Sequence, residues 1–488
     1  MKDFTIIGAG YAGVSTGALL AKQGFSVQIL EAHSLIGGCA SYFRRKHFLF
    51  DAGATTLSGV LPGQPLGKLF NDLNIQPELK KLEIGMTIKM EKETITRYSN
   101  LNEWIEEAEK CFPESRKIQK KFWNKIYSIN NSAWDFIADN DSLPPRSLSD
   151  LFKLAKPSNW TKINLLPGLF FPLRSLLNSL DCKDAKFEKF LEEQLLITTQ
   201  TTIDKAPILT SAMGLAYPSE TYYPIGGITK PLELILNKFI ELGGTLTLKE
   251  NVNSINYEKN NIIVKTEKGN EYSSKFLVST IPIWNMKSIT NGKIQKYYTK
   301  LSNKFPEGPG AFTINFGINS SSTLKGGYYQ IHTEEKIPEC EAGAFFLTLS
   351  EIGDTIRAKE GSRTVTISTH TNALHWENLN EDDYELKKQK ITEYILNKFD
   401  SVFPEFKDSE KLFLLSGSPR TFQKFTKRFR GYVGGIPHST NPSLLLLPAN
   451  RTPFRGIFQG GDTAFPGQGT PAVVKGAYQI LNYSKYLE

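Results

Sequence analysis

Gly8, Gly10 and Gly13 stand in the run Gly8-Ala9-Gly10-Tyr11-Ala12-Gly13, and an acid, Glu31, follows twenty-three positions after the first of them. Glycines at this spacing let a backbone approach a pyrophosphate. The first permits a tight turn, the second removes the side chain that would block the approach, and the third lets a helix pack closely on the preceding strand. An acid placed like Glu31 accepts hydrogen bonds from a ribose 2′-hydroxyl and repels a 2′-phosphate. Directly beyond it, Gly37-Gly38-Cys39-Ala40-Ser41 suits a second close approach of backbone to a dinucleotide, or in isolation a plain turn. Cys39 has no basic neighbour in sequence and reads as a small packed residue rather than a nucleophile.

A second chemical cluster lies near the other end, in Gly460-Gly461-Asp462 and Phe465-Pro466-Gly467-Gln468-Gly469-Thr470-Pro471. Asp462 beside glycine suits a ribityl hydroxyl, with backbone amides near phosphates. Thr470 and Pro471 suit the cap and first position of a helix whose amides would face a flavin pyrimidine edge. Two separated dinucleotide elements without a second GxGxxG imply one large cofactor gripped by both ends of the chain, namely FAD rather than NAD alone.

The elements that must position these residues follow from patterning. Phe4 to Ile7 reads as a buried strand, Tyr11 to Lys22 as a helix, and Phe25 to Leu30 as the next strand. Gly13, Gly17 and Ala21 form a small-residue stripe that lets the helix lie close to the sheet, and Gly24 suits the position after its end. Ile457 to Gln459 is a short strand leading to Asp462. Between these ends, Leu232, Ile235, Leu236, Phe239 and Ile240 mark an amphipathic helix stopped by Gly243-Gly244. Thr245 to Leu248, the stretch from Val252 to Ile255, Ile262 to Val264 and Phe276 to Ser279 are strands predicted to return to the dinucleotide domain.

Composition bounds the rest. At 488 residues the chain is long enough for two or more domains, and 40% hydrophobic with 22% charged residues is ordinary for a globular protein. A net charge of +8, spread rather than gathered, argues against nucleic acid as a partner. The four cysteines are scattered without a CxxC, which excludes dithiol reductases, argues against a zinc cluster and fits a reducing, cytosolic setting. Three residues precede the first strand, so no targeting peptide is expected, and no apolar run is long enough to span a bilayer.

From about 66 to 200 the pattern is helical, with Ile118, Phe122, Ile126 and Ile129 at helical spacing after Pro113; Trp104, Trp123 and Trp134 read as core. Residues 160–180 crowd Leu165, Leu166, Leu169, Phe170, Phe171 and Leu173 around Pro167 and Pro172, with Trp160, Lys162 and Arg174 placed like interfacial anchors. This stretch is either a buried core helix or an amphipathic patch in one leaflet, through which a lipophilic substrate enters. Residues 305–420 alternate at Phe312/Ile314/Phe316, Phe345/Leu347 and Val365/Ile367, with a charged helix near 383–399, which predicts an antiparallel sheet with one covered face. Arg420 to Arg430 lies either near the site or merely at the surface, and as a charge run it reads better as solvated.

The segments GAGYAG with Glu31, GGCAS with FDAG, YYPIGG and GGDTAFPGQGTPAVV together resemble the carotenoid and phytoene desaturases, with the carotenoid isomerases and retinol saturases, among amine-oxidase-like flavoproteins. The FPGQG form resembles the isomerase and saturase branch, and residues 418–435 resemble 3′,4′-desaturase-like proteins; residues 70–210 match only in kind. The resemblance implies an α/β fold: a Rossmann-like FAD-binding domain of the glutathione-reductase-2 type with an inserted α+β substrate domain, the latter holding an antiparallel sheet and a helical, membrane-facing part. Segments 1–65, 216–290 and 421–488 would form the FAD domain, and 66–215 and 291–420 the substrate domain. It places Gly8, Gly10 and Gly13 at the pyrophosphate, Glu31 at the ribose, Gly37 and Gly38 along the dinucleotide, Val252 at the adenine, and Gly461, Asp462, Gly469 and Thr470 at the flavin end. It transfers no catalytic side chain. The activity implied is hydride transfer between a polyene and FAD, desaturation first, with isomerisation or saturation by reduced FAD as alternatives, and a non-catalytic flavin-bearing lipid carrier as the reading of another class. The expected setting is cytoplasmic, peripheral on the inner face of the plasma membrane through 160–180.

Overall fold

A computed structural model describes residues 1–90, 92–258 and 261–485. Its first sheet is ordered Val252–Glu258, Asn261–Thr266, Glu271–Ser279, Lys2–Ile7, Val27–Glu31, Thr245–Leu248, with Ile457–Gln459 also paired to Glu271–Ser279. The pairings around Lys2–Ile7 are parallel, as are those of Val27–Glu31 with Thr245–Leu248 and of Glu271–Ser279 with Ile457–Gln459. Parallel strands are covered on both faces, which is why Phe4, Ile6, Val27 and Ile29 on one face and Thr5, Ile7 and Leu30 on the other are all buried. The helix Tyr11–Lys22 reaches the sheet because Gly17 lacks a side chain: a Cβ there would stand 2.9 Å from Ile29 Cδ1. Gly24 closes it at φ +90°, its N–H donating to the Ala21 carbonyl at 2.9 Å. The strand predicted from Phe25 begins two residues later, at Val27.

The second sheet is ordered Leu412–Gly417, Gly310–Asn319, Ser362–Thr371, Ala344–Leu349, Gly327–His332, Ile84–Met90, Glu93–Tyr98. It departs from expectation twice. Ile84–Met90 and Glu93–Tyr98 come from the stretch read as helical, where Met86, Ile88, Met90 and Ile95 supply a period of two that the neighbouring helices masked. Ile84–Met90 also runs parallel to Gly327–His332, so the sheet is mixed rather than antiparallel. One face is covered as predicted: Phe312, Ile314 and Phe316 join Ile391, Ile395 and Phe399 of the helix Glu381–Val402 in one apolar cluster. The opposite face carries Ala311, Thr313 and Asn315.

The helices Ile283–Ile289 and Gly292–Lys304 pack with the first sheet through Trp284, Ile294 and Tyr298, so a boundary at 290 separates elements that share a core. A buried ion pair ties Phe48–Asp51, a strand of a separate two-stranded hairpin with Tyr42–Arg45, to the loop that precedes Ser362–Thr371. The Arg357 guanidinium donates to the Asp51 carboxylate, both residues 1% exposed or less, and the other Asp51 oxygen accepts from Ile228 N–H at 3.2 Å. Asp354 completes the network, accepting from Tyr223 Oη at 2.8 Å and from Gly226 N–H at 3.0 Å. The FDAG and YYPIGG segments thus meet at one polar knot, where a Cβ at Gly227 would lie 2.7 Å from Asp51 Oδ1.

Candidate functional site

The carboxyl ends of Lys2–Ile7, Val27–Glu31, Glu271–Ser279 and Ile457–Gln459 open on one cavity of about 1070 Å³. This edge of an open parallel sheet is where ligands of such folds sit. Gly8, Gly10, Glu31, Gly37, Gly38, Val252, Gly461, Asp462, Gly469 and Thr470 all line it. Gly13 does not. A Cβ at Gly13 would lie 1.9 Å from the Gly8 carbonyl oxygen, so its role is helix–strand packing and not contact with a pyrophosphate.

At the first end, Glu31 is 8% exposed and holds the glycine loop in place: its Oε2 accepts from Ala9 N–H at 2.7 Å and its Oε1 from His33 N–H at 2.8 Å. Burial pushes this carboxyl up, against the two amides that favour its charged form. Gly37 N–H donates to the Ala9 carbonyl at 2.9 Å, which brings the diglycine against Gly10. Val252 lines the cavity next to Glu250 and Asn251. Thr280, absent from the sequence reading, caps the first strand by donating from Oγ1 to the Ile7 carbonyl at 2.7 Å. Its only sequence signal is its place just past a predicted strand end.

These residues fit a dinucleotide on two observations. At Gly10, φ is −78° and a built Cβ would meet only the Gly37 backbone, at 3.6 Å, so neither conformation nor protein packing requires glycine there. A ligand that needs the bare backbone does. The helices Tyr11–Lys22 and Thr470–Ser484 both begin from glycine, Gly10 and Gly469, without a side-chain cap, and both starts line the cavity. Their first-turn amides remain for an acceptor outside the helix. Thr470 is therefore the first helical residue and Gly469 the cap, one position earlier than predicted, because Gly469 alone supplies the φ of +91°.

The far end of this half contains a cation from the basic string, on the near-site side of the two placements that the sequence left open. Arg428 Nη2 donates to Asp462 Oδ2 at 2.7 Å, with side chains 11% and 15% exposed, and its Nε donates to the Tyr432 carbonyl. Arg420 is likewise tied down, donating to the Trp376, Glu377 and Leu379 carbonyls. Cys39 shares the cavity wall; burial raises its thiol, opposed by Arg428. The FPGQG turn is held by amides: Gln200 Nε2 donates to Gln468 Oε1 at 2.5 Å, and Gln468 Nε2 donates to the Thr198 carbonyl. His438 is buried against Gly467, and burial pushes its imidazole down to about 4, so it is neutral at ordinary pH.

The remainder of the cavity runs between helices and the second sheet. Leu143, Leu169, Leu196, Ile197, Leu209 and Met213 make an apolar side, and Trp134, read as core, faces it too. Trp104 and Trp123 are fully buried core, as predicted. Outside the Leu143 and Leu169 walls, Leu148, Phe152, Trp160, Ile163, Phe170 and Phe171 are exposed, Phe152 by 78% and Trp160 by 67%. The stretch 160–180 is thus not a buried helix; it is a 3-10 run, Pro157–Leu169, followed by a short helix, Leu173–Ser179, whose Leu173 and Leu177 alone are fully buried. Arg174 is no free anchor, being paired with Glu188 at 2.7 Å and Asp204 at 2.8 Å. Among the described residues no helix is long and apolar enough to cross a membrane, and no group of metal-ligating side chains is present.

A Rossmann-like sheet with a glycine-cradled crevice at its carboxyl edge defines an FAD-binding oxidoreductase. The sequence pattern of the flavin-containing amine oxidoreductases matches residues 11–479, and the chain belongs to that family; its cofactor is FAD. It is 24% identical to a chloroplastic prolycopene isomerase of Daucus carota over 96% of this chain and 78% of that protein. It is 23% identical to an all-trans-retinol 13,14-reductase of Danio rerio over all of this chain and 87% of that one. Among solved structures, an oxidoreductase from Methanosarcina mazei superposes with a TM-score of 0.65 at 16% identity, covering 98% of this chain and 100% of that one, a likeness of fold.

Proposed function

We propose that this protein is an FAD-dependent enzyme of a long polyene. The observation that carries the reading is the continuity of one cavity, glycine-lined and amide-rich at one end, apolar between Leu196, Leu209 and Met213 at the other. Bound FAD supplies hydride acceptance or return. The chain's own residues do the rest. Gly8, Gly10, Gly37 and Gly38 bring bare backbone to the dinucleotide, Glu31 holds a ribose, and Val252 lies at the adenine. Arg428 balances phosphate charge while Asp462, Gly461, Gly469 and Thr470 hold the flavin end. The apolar walls exclude water and align an extended chain.

Desaturation is the direction that oxidised FAD imposes, a proton leaving the neighbouring carbon. Isomerisation or saturation with reduced FAD is the second reading, favoured by the likeness, over nearly the whole chain, to an isomerase and a reductase. The exposed apolar face beside Leu143 and Leu169 supports entry of substrate from a leaflet, with the protein peripheral to a membrane. Expression in cells that make lycopene precursors tests the whole: product lacking H2 means desaturation, an unchanged mass with a shifted spectrum means isomerisation, and added H2 means saturation. Unchanged pigment from protein that carries its flavin would overturn the proposal.

A further inference from the structure

The helix Ala185–Thr198 turns Glu193, Leu196, Ile197 and Thr198 toward the cavity. Glu193 is only 7% exposed, and its Oε1 accepts from Gly343 N–H at 2.8 Å. No described residue hydrogen-bonds its Oε2, which keeps some accessible surface where Glu193 lines the cavity. Facing it, the second sheet sets polar groups on one row. Thr313 pairs with Ser368, Ser368 with Phe346, and Phe346 with Gln330, all four lining the cavity. Gln330 Nε2 donates to the Glu193 carbonyl at 3.1 Å, which fixes helix to sheet at this point. His370, two residues beyond Ser368 on the same face, completes the group.

Position separates this group from the flavin-holding turn. The Thr198 carbonyl receives Gln468, and Glu193 lies five residues back along the helix, about 7.5 Å at the usual rise per residue. A cavity for a pure hydrocarbon gains nothing from a desolvated carboxyl, whose burial is costly unless a partner arrives. On the reading of the protein as a polyene enzyme, we propose that Glu193, with Ser368 and His370 across from it, binds a hydroxyl group of the substrate, which is therefore a polyene alcohol rather than a hydrocarbon.

Burial pushes the Glu193 carboxyl up to about 7. The groups that face it are Glu192 and Lys189 on its own helix, Lys336 beyond the strand Gly327–His332, and the imidazoles of His332 and His370. Burial holds those imidazoles down, to about 3 and about 4, so both are neutral where Glu193 titrates. A hydrocarbon that strips water from Glu193 binds its protonated form better, whereas an alcohol donates to the carboxylate. The preference for alcohol therefore widens as pH rises through the Glu193 value.

The experiment titrates the FAD-loaded protein with all-trans-retinol and with the same polyene carrying methyl in place of hydroxymethyl, by tryptophan fluorescence, below and above the Glu193 value. The wild type is expected to prefer the alcohol by about ten-fold or more, increasingly at the higher pH. Glu193→Leu should erase the preference without weakening the hydrocarbon. Glu193→Gln, which preserves the Gly343 contact, should retain a preference that no longer varies with pH, and it decides the matter should the leucine variant not fold. Equal affinity for both ligands in the wild type, or a pH-dependent preference that survives in Glu193→Gln, overturns the assignment. Failure of both polyenes to bind, with flavin absorbance intact, overturns the polyene reading itself.

Discussion

Arg428 and Asp462 meet at 2.7 Å across thirty-four residues of sequence, joining the basic run after the helix Pro419–Thr426 to the turn after the last strand. The pair is half of a site and half of a clasp. Burial alone would lower the guanidinium, but the Asp462 carboxylate outweighs it, so the cation stays charged in the cavity wall. Arg428→Met is expected to lower FAD retention about ten- to hundred-fold, read as flavin absorbance per protein after gel filtration. Retention equal to wild type would place the cation outside the flavin contacts.

Two glycines of one motif should fail in different ways. Gly10→Ala adds a methyl that the protein tolerates, so thermal stability without flavin should change by less than about 1 kcal/mol while FAD binding falls steeply. Gly13→Ala drives a methyl into the Gly8 carbonyl, and should cost several kcal/mol, of the order of 1–3 or more, whether flavin is present or not. Denaturant melts of flavin-free and flavin-loaded protein separate the two.

Arg357→Met leaves Asp51 buried without its cation. Loss of about 3–5 kcal/mol is expected, since the removal of one partner leaves a buried charge uncompensated. A double variant with Asp51→Asn should recover part of that loss. No recovery would mean that the arginine acts through packing alone.

Glu193 also sets a pH dependence of stability. Its folded value of about 7 lies above the ordinary 4.5, so the folded state binds the extra proton and this contribution is complete at low pH. Stability is lost as pH rises from about 4.5 through 7. Glu193→Gln removes that slope, and the variant should gain on the wild type by on the order of 1–3 kcal/mol near pH 8, with little difference near pH 4. Melting temperatures across that range check the sign.

Phe152→Glu with Phe171→Glu places charge on side chains that are 78% and 55% exposed. Folding should be unaffected, and flotation with liposomes should drop several-fold. Flotation equal to the parent would remove the leaflet from the entry route.

What the sequence disclosed was whatever depends on backbone and local pattern. Gly8, Gly10, Gly37, Glu31 and Gly469 announce themselves because turns, bare approaches and ribose acids need particular residue types at fixed spacing. The parallel strands were readable because burial on both faces leaves continuous apolar runs such as Phe4 to Ile7. Arg428 was hidden for the opposite reason: a basic run looks the same in solvent or folded against Asp462, and only tertiary structure chooses. Glu193 sits in an amphipathic helix among Phe190, Leu191 and Leu195, and nothing local tells a buried carboxyl from a surface one. Ile84–Met90 was lost although it pairs with the adjacent Glu93–Tyr98, because its short period of two lies beside longer helical stretches that dominate the local pattern.

The glycine-lined end of the cavity is walled by residues drawn from 8–38 and from 461–470. The two segments are remote in sequence yet line one space, so neither can shape the glycine-lined end without the other. On the proposed reading, a fragment that carries either segment alone lacks half of the cradle and should leave a sizing column colourless.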